Sequence, residues 1–499
     1  MYIYRSFLLL LLFLTTGLWS CGSFEDMNLN PNEPTAVTPD VLLASAIRSG
    51  INISVEQSFL LANNAAQLTA KTLRTEVDAY NWQSPFPAVW EGFYQTLTDV
   101  EAVERLAIQT NNTTLEGVAL VLKVWIYANL TNAYGDIPYT MALQGREGNF
   151  TPSYTPQEEI YPDLLAQLKR ANDLLAQQGQ GNISGDILLN NDPVRWQKLA
   201  NSLTLRLLMT ASQKLPDAPA RFAEVFNSRP IMNSNLDNAT LVYTNTFPNQ
   251  YPLLPLKTGD FDAVAISQQA IQALDAINDP RLFRYARPIN DAFDGQAAVF
   301  LGAVNGSNSD NCSKAGSRLG VQYYNVPDRV TAPDLALPYA EGILMTYSEV
   351  TFLIAEAAAK GWISADAATY YRAGVQASIL YHQVDMNASG WAGFNDFYQN
   401  SGIAQTIDLD NIRKQKWLAL YFHGLEPYFE VRRWYIEEGR NWDRISFLEA
   451  PCENLNGDVL PMRFRYPGQE QSLNADNYTA AIERLGGRND FNAEMWLVR

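Results

Sequence analysis

Glu349 and Glu356 stand seven residues apart in the run TYSEVTFLIAEAAAKG, which sets two carboxylates on one face of a helix. Carboxylates so placed can do general acid–base work. They can equally be neutralised inside the protein by Arg413, Lys416, Arg432 or Arg433 of IRKQKWLALYFHGLEPYFEVRRW. The largely apolar residues around both carboxylates favour internal ion pairs. A glycoside hydrolase would need two carboxyl groups about 5–10 Å apart across a cleft, and no carboxylate motif stands out from the loops. No catalytic residue is therefore assigned. His382 and His423 are the two histidines, and there is no Cys-x-x-Cys, so a zinc centre is not expected. The tip NGSNSDN at 305–311 has oxygen ligands that suit calcium but lacks the Glu and the spacing of an EF-hand. No metal or cofactor is assigned, and a structural calcium is the single open candidate.

Two irregular segments combine rings with amides and charges. RTEVDAYNWQSPFPAVW supplies Arg74, Asp78, Tyr80, Asn81, Trp82 and Gln83, and VQYYNVPDR supplies Gln322, Tyr323, Tyr324, Asn325 and Arg329. A sugar ring has an apolar face that stacks on Trp or Tyr and a rim of hydroxyls that pairs with Asn, Gln and Arg. Arg74, Tyr80, Asn81, Trp82, Tyr323, Tyr324 and Asn325 are the candidate ligand residues on these grounds. The competing assignment for each ring is the core, and Trp90 and Tyr94, one helical turn apart, belong there.

The N-terminus reads FLLLLLFLTTGLWSCGSFEDMNLNPNEPT. An apolar block of about 12 residues is too short for a bilayer, which needs roughly 20, and it fits the h-region of a signal peptide behind Arg5. Leu18-Trp19-Ser20-Cys21 resembles the lipobox of bacterial lipoproteins, in which the chain is cut before Cys and the thiol carries acyl chains such as palmitate. Cys21 is the expected lipidation site, and the protein would be anchored to a membrane without spanning it. The acidic Gly22–Asp26 stretch resembles the signal that sends lipoproteins of Bacteroidetes-type bacteria to the outer face of the outer membrane. The net charge of −17 excludes a nucleic-acid partner, whose phosphates need a basic surface. In an exported chain Cys312 and Cys452 are either a disulfide pair or two separate thiols.

These residues hang on a chain that reads mainly helical. TPDVLLASAIRSG and DPVRWQKLANSLTLRLLMTAS carry a capping Thr or Asp followed by Pro at the first helical position. LEGVALVLKVWIYANLTNAYG is strongly apolar and ends near Gly135. TPQEEIYPDLLAQLKRANDLLAQQG places acids in its first turn and apolar residues at a 3.6 period. Residues 346–360 and 367–381 form an αα-hairpin of TPR type, with small residues at the contact and Tyr370 and Tyr371 filling the gap. The fold class is all-α: a TPR-like helix-pair scaffold with degenerate repeats and a long loop-rich insertion that carries the ligand site. The expected organisation is a signal peptide at 1–20, a lipidated tether at 21–37 and one domain at 38–499. Within it, helical scaffold occupies about 38–215 and 339–435, and loop-rich regions about 216–338 and 436–499.

Six motifs in order then resemble one family. NPNEPTAVTPDVLLASA, YANLTNAYGDIPYTMAL, DPVRWQKLANSLTLRLLMTAS, ILMTYSEVTFLIAEAAAKGW, IRKQKWLALYFHGLEPYFEVRRW and LPMRFRYPGQEQSLNADNYTAA are similar to the SusD/RagB family of outer-membrane lipoproteins, in its SusD-like branch. The resemblance implies four TPR-like helix pairs, a location at the cell surface and binding without catalysis. It implies a SusC-like TonB-dependent transporter as partner, with oligosaccharide as cargo, or peptide in the RagB case. A scaffold without a small ligand is the remaining alternative. The family's motifs transfer no ligand residue to this sequence.

Overall fold

The computed structural model describes residues 38–84, 86–177, 181–244, 247–290, 298–307, 312–323 and 340–499. The expected signal peptide, Cys21, the tether at 21–37, Tyr324 and Asn325 lie outside these residues.

Helices follow one another in pairs. α1 (Pro39–Gln57) packs on α2 (Pro87–Gln109), α3 (Thr113–Tyr134) on α4 (Gln157–Leu175), and α5 (Pro193–Thr210) on α6 (Ala218–Ser228). The short α7 (Gln268–Asp275) precedes a fourth pair, α8 (Tyr347–Ala359) with α9 (Ala367–Tyr381). This is the TPR-like arrangement expected from the sequence. α10 (Phe394–Asn400), α11 (Leu409–Ala419), α12 (Glu426–Glu437) and α13 (Ala475–Arg484) complete the main helices, and α11 packs on α8.

Local chemistry sets the helix ends. Asp192 accepts from the backbone N–H of Val194 at 2.9 Å, with Pro193 at the first helical position. Asn112 caps α3 through Leu115 N at 3.0 Å, Thr346 caps α8, and Asp366 caps α9. Thr38 precedes Pro39 in an extended conformation but makes no side-chain cap bond. α3 is apolar on every side and is buried along nearly its whole length, as such a helix must be. At the α8–α9 contact a Cβ on Gly374 would lie 2.8 Å from the Phe352 ring, so only glycine permits this approach.

The region expected to be loop-rich at 216–338 holds α6 and α7, two short helices whose polar residues obscure their period. It also supplies strand partners. Among the described residues there are three two-stranded antiparallel ribbons: β1 (Thr69–Lys71) with β5 (Val264–Ile266), β2 (Ile137–Pro138) with β3 (Tyr154–Thr155), and β4 (Ala239–Leu241) with β6 (Gly342–Met345), the first and last joining distant segments. The first is extended by bridges from Ala303 to Ser267 and from Arg318 to Ala265. Ala70, Ala265 and Ala303 pack together there, and their small side chains let the segments lie close.

Candidate functional site

The β1–β5 ribbon leads into the first candidate segment, and Arg318, three residues before the second, bridges to Ala265 of β5. At its end, Thr72 N donates to Ala263 O at 2.9 Å and Thr72 Oγ1 to Asp262 O at 3.0 Å. Residues 72–84 then fold back so that the Asp78 carboxylate accepts from Lys71 N at 2.9 Å. Asn305 donates to Thr69 O at 2.8 Å, Cys452 N to Asn305 O at 3.0 Å, and Leu455 N to Ala79 O at 2.8 Å. Cys312 and Cys452 are joined by a disulfide, with Cα atoms 6.6 Å apart. Three loops are thereby tied together. Burial pushes the Asp78 carboxyl up to about 7, against the backbone N–H groups of Lys71 and Gly306 and the Lys71 ammonium.

The rings of the first segment point inward. Tyr80 is fully buried, donates its hydroxyl proton to Ala65 O at 3.0 Å and stacks beside Trp442. Trp82 is 2% exposed, donates from its indole nitrogen to Val77 O at 2.8 Å and packs against Phe86, Tyr428 and Phe464. Neither presents a face to a ligand, so the expectation that they stack on a sugar is corrected: both are core. The sequence shows no period here because the chain turns at Arg74 and Tyr80, whose φ angles are +56° and +59°. Arg74 is exposed and Asn81 half-buried, so these two remain available at the surface.

The second segment ends, among the described residues, at Tyr323. Its ring lies parallel to Phe422 with centroids 4.2 Å apart and is 3% exposed. Phe422 reaches it by adopting φ +64°, in the turn that separates α11 from α12. Beside the pair is a cavity of about 50 Å³ lined by Arg284, Gln322, Glu341, Tyr381 and His382, among others. Gln322 donates to Arg284 O at 2.6 Å, and a Cβ on Gly320 would lie 2.0 Å from that same carbonyl oxygen. Desolvation, helped by Arg284 and Arg281, holds His382 well below its ordinary range, so it is a neutral imidazole. Tyr323, like Tyr80 and Trp82, is therefore a core ring, its face covered by Phe422, and the expectation that it stacks on a sugar is corrected; Arg284, Gln322 and Glu341 bring polar groups to the small cavity beside it.

Glu349 and Glu356 are internal. Arg206 grips Glu349 with two hydrogen bonds, at 2.6 and 2.7 Å, and Arg433 grips Glu356 at 2.8 and 2.7 Å. Lys416 sits 2.9 Å from Glu430 and 3.7 Å from Glu356. Burial alone would raise the Glu356 carboxyl, but Arg433 and Lys416 hold it well below the usual range. A carboxylate so clamped neither donates nor accepts a proton at neutral pH. Arg432 is spent on the carbonyls of Asn132 and Met462, each at 2.8 Å.

A model of the SusD-like family, described as starch-binding and associating with the outer membrane, matches residues 31–467. The chain belongs to the SusD-like family. Its fold is similar to that of an outer membrane protein from Bacteroides vulgatus connected in its description with nutrient binding, at 26% identity and TM-score 0.77, covering 93% of this chain and all of that one. A SusD homologue from Bacteroides fragilis is 25% identical with TM-score 0.75, covering 91% of this chain and all of that one. A chitin-binding SusD homologue from Flavobacterium johnsoniae shares the fold at 19% identity and TM-score 0.70, covering 92% of this chain and 98% of that one. No curated protein sequence matches at a significant level. The SusD-like chain has no helix, among the described residues, that is long and apolar enough to cross a membrane.

One recess escaped the sequence. A groove of about 280 Å³ lies between α7, the first turns of α11 and residues 446–449. Its residues come from separate segments, which no local pattern connects. The one available signal was SQQAIQALD, where Ser267 caps a short amphipathic helix by accepting from Ala270 N at 3.0 Å.

Proposed function

We propose that this SusD-like chain is a nutrient-binding lipoprotein, tethered to the outer membrane through Cys21 and exposed at the cell surface. It captures oligosaccharide and delivers it to a SusC-like TonB-dependent transporter. The observation that carries this proposal is the family match over residues 31–467, whose description joins starch binding to the outer membrane. The nutrient-binding description of the Bacteroides vulgatus relative supports it. The clamped Glu349 and Glu356 support binding without catalysis, since the most suggestive carboxylate pair in the sequence is spent on Arg206 and Arg433.

The ligand would meet Arg74 and Asn81 on the folded-back loop and the cleft beside Tyr323. The rings of Tyr80 and Trp82 serve by holding that loop in place. An exposed site of this kind gains only modest affinity once the ordering costs are met. Co-purification from solubilised outer membranes tests delivery: a large β-barrel should accompany the tagged chain. Recovery of the chain alone, in detergents that preserve such complexes, would remove the transporter from the account. A Cys21→Ser chain should leave the membrane fraction, and its retention there would contradict the lipid tether.

A further inference from the structure

The groove between α7 and α11 shares no residue with the folded-back loop or with the cleft beside Tyr323. Gln269, Gln272, Ala273 and Ala276 line one side, spaced so that they share one face of α7. Asn411, Lys414 and Gln415 line the other. We propose that this groove is a second carbohydrate subsite, which takes a neutral, polyhydroxylated sugar unit through Gln269, Lys414 and Gln415. The proposal rests on the assignment of the chain as a glycan binder.

One buried acceptor points to a missing partner, and two donors stand beside it. Gln269 is 6% exposed, and its amide nitrogen donates to the Glu449 carboxylate, yet its Oε1 has no hydrogen-bond partner among the described residues. A buried acceptor left unpaired is costly, and a ligand hydroxyl would satisfy it. Gln415 is 3% exposed, and its Oε1 accepts from Arg281, which is itself locked to Asp279 at 2.6 Å and to Ser378 at 3.2 Å. That contact fixes the amide and leaves its NH2 group as the donor available to the groove. Lys414 has a single long contact, 3.4 Å to Asn411 Oδ1, and no carboxylate within ion-pair distance among the described residues.

The composition of the lining selects the ligand class. Lys414 and Glu449 contribute one charge of each sign, so the groove carries no net charge to favour an anion or a cation. Apart from Tyr371, whose hydroxyl donates to Ile403 O, its other long polar side chains, Gln269, Gln272, Asn411 and Gln415, are amides, each with a donor and an acceptor on one group. Adjacent sugar hydroxyls present the same alternation. Ala273, Ala276 and Ile277 offer an apolar wall for the C–H face of a ring. About 280 Å³ lies at the small end of ligand sites, which suits one or two sugar units of a longer chain.

Hydrogen exchange on the full chain, with millimolar maltotriose, chitotriose or cellotriose, tests the proposal. At least one trisaccharide should slow exchange in residues 268–276, 409–416 and 446–449. Gln269→Leu and Lys414→Met should each weaken that protection at least fivefold while polysaccharide still retards the variant in an affinity gel. Protection confined to 72–84 and to residues around Tyr323, with both variants binding as the parent does, would overturn the groove and leave the glycan-binding function standing. Equal protection by free glutamate or lysine would reassign the groove to zwitterionic ligands and overturn the sugar. No protection anywhere by any trisaccharide, with no retardation by polysaccharide, would overturn both.

Discussion

Replacing Cys312 and Cys452 together by alanine removes a cross-link between residues 140 apart in sequence. In the chain-entropy model the closed ring restricts the unfolded ensemble by −2.1 − 1.5R ln n cal/mol/K, which for this ring is about 5 kcal/mol at 25 °C. The native contacts around it survive the change: Cys452 N still donates to Asn305 O, and Leu455 N to Ala79 O. The loss is therefore expected mainly through the unfolded state. Unfolding entropy near 2.1 cal/mol/K per residue, over roughly 460 residues, gives about 1 kcal/mol/K, so Tm should fall by about 5 °C. Differential scanning calorimetry of parent and double variant, each with and without reductant, measures this. The parent should fall to the variant's Tm when reduced, and the variant should ignore the reductant. A double variant that melts within 1 °C of the parent would refute the claim that this bond constrains the chain.

Other perturbations bear on the core and the loop. Asp78 has a folded-state pKa of about 7 against an ordinary 3.8, so between those values the folded state holds the extra proton and stability falls as pH rises. At about 1.4 kcal/mol per pH unit, Asp78→Asn should gain about 3 kcal/mol relative to the parent between pH 5 and pH 8; urea titrations with a constant difference would contradict the buried carboxyl. Glu356→Gln strips the counter-charge from Arg433 and Lys416 and should cost about 3–5 kcal/mol in the same titration. Trp82→Ala should cost about 3–5 kcal/mol as a core truncation, yet leave polysaccharide affinity per folded molecule unchanged. Selective loss of binding without loss of stability would return Trp82 to the ligand surface.

What could be foreseen in the sequence was local. Asp192-Pro193 marks a helix start because the cap and its partner lie within three residues of each other. The ion pairs of Glu356 with Arg413, Lys416 and Arg433 were legible because an apolar helix cannot leave a carboxylate unpaired. Glu349 found Arg206 instead, 143 residues away, a partner no spacing rule could choose. The inward turn of Tyr80 and Trp82 depends on Trp442, Tyr428 and Phe464, more than 300 residues later. The groove between α7 and α11 was equally hidden, since α7 is short and its facing residues follow after more than a hundred positions.

The function proposed for this protein is capture of a polysaccharide without cleavage. Native affinity electrophoresis through gels containing starch, chitin derivatives or xylan, with reducing ends assayed after prolonged incubation with each polymer, measures both halves at once. Retardation by at least one polymer with no release of reducing ends is the expected result. Release of new reducing ends, or free migration through every polymer, would contradict it.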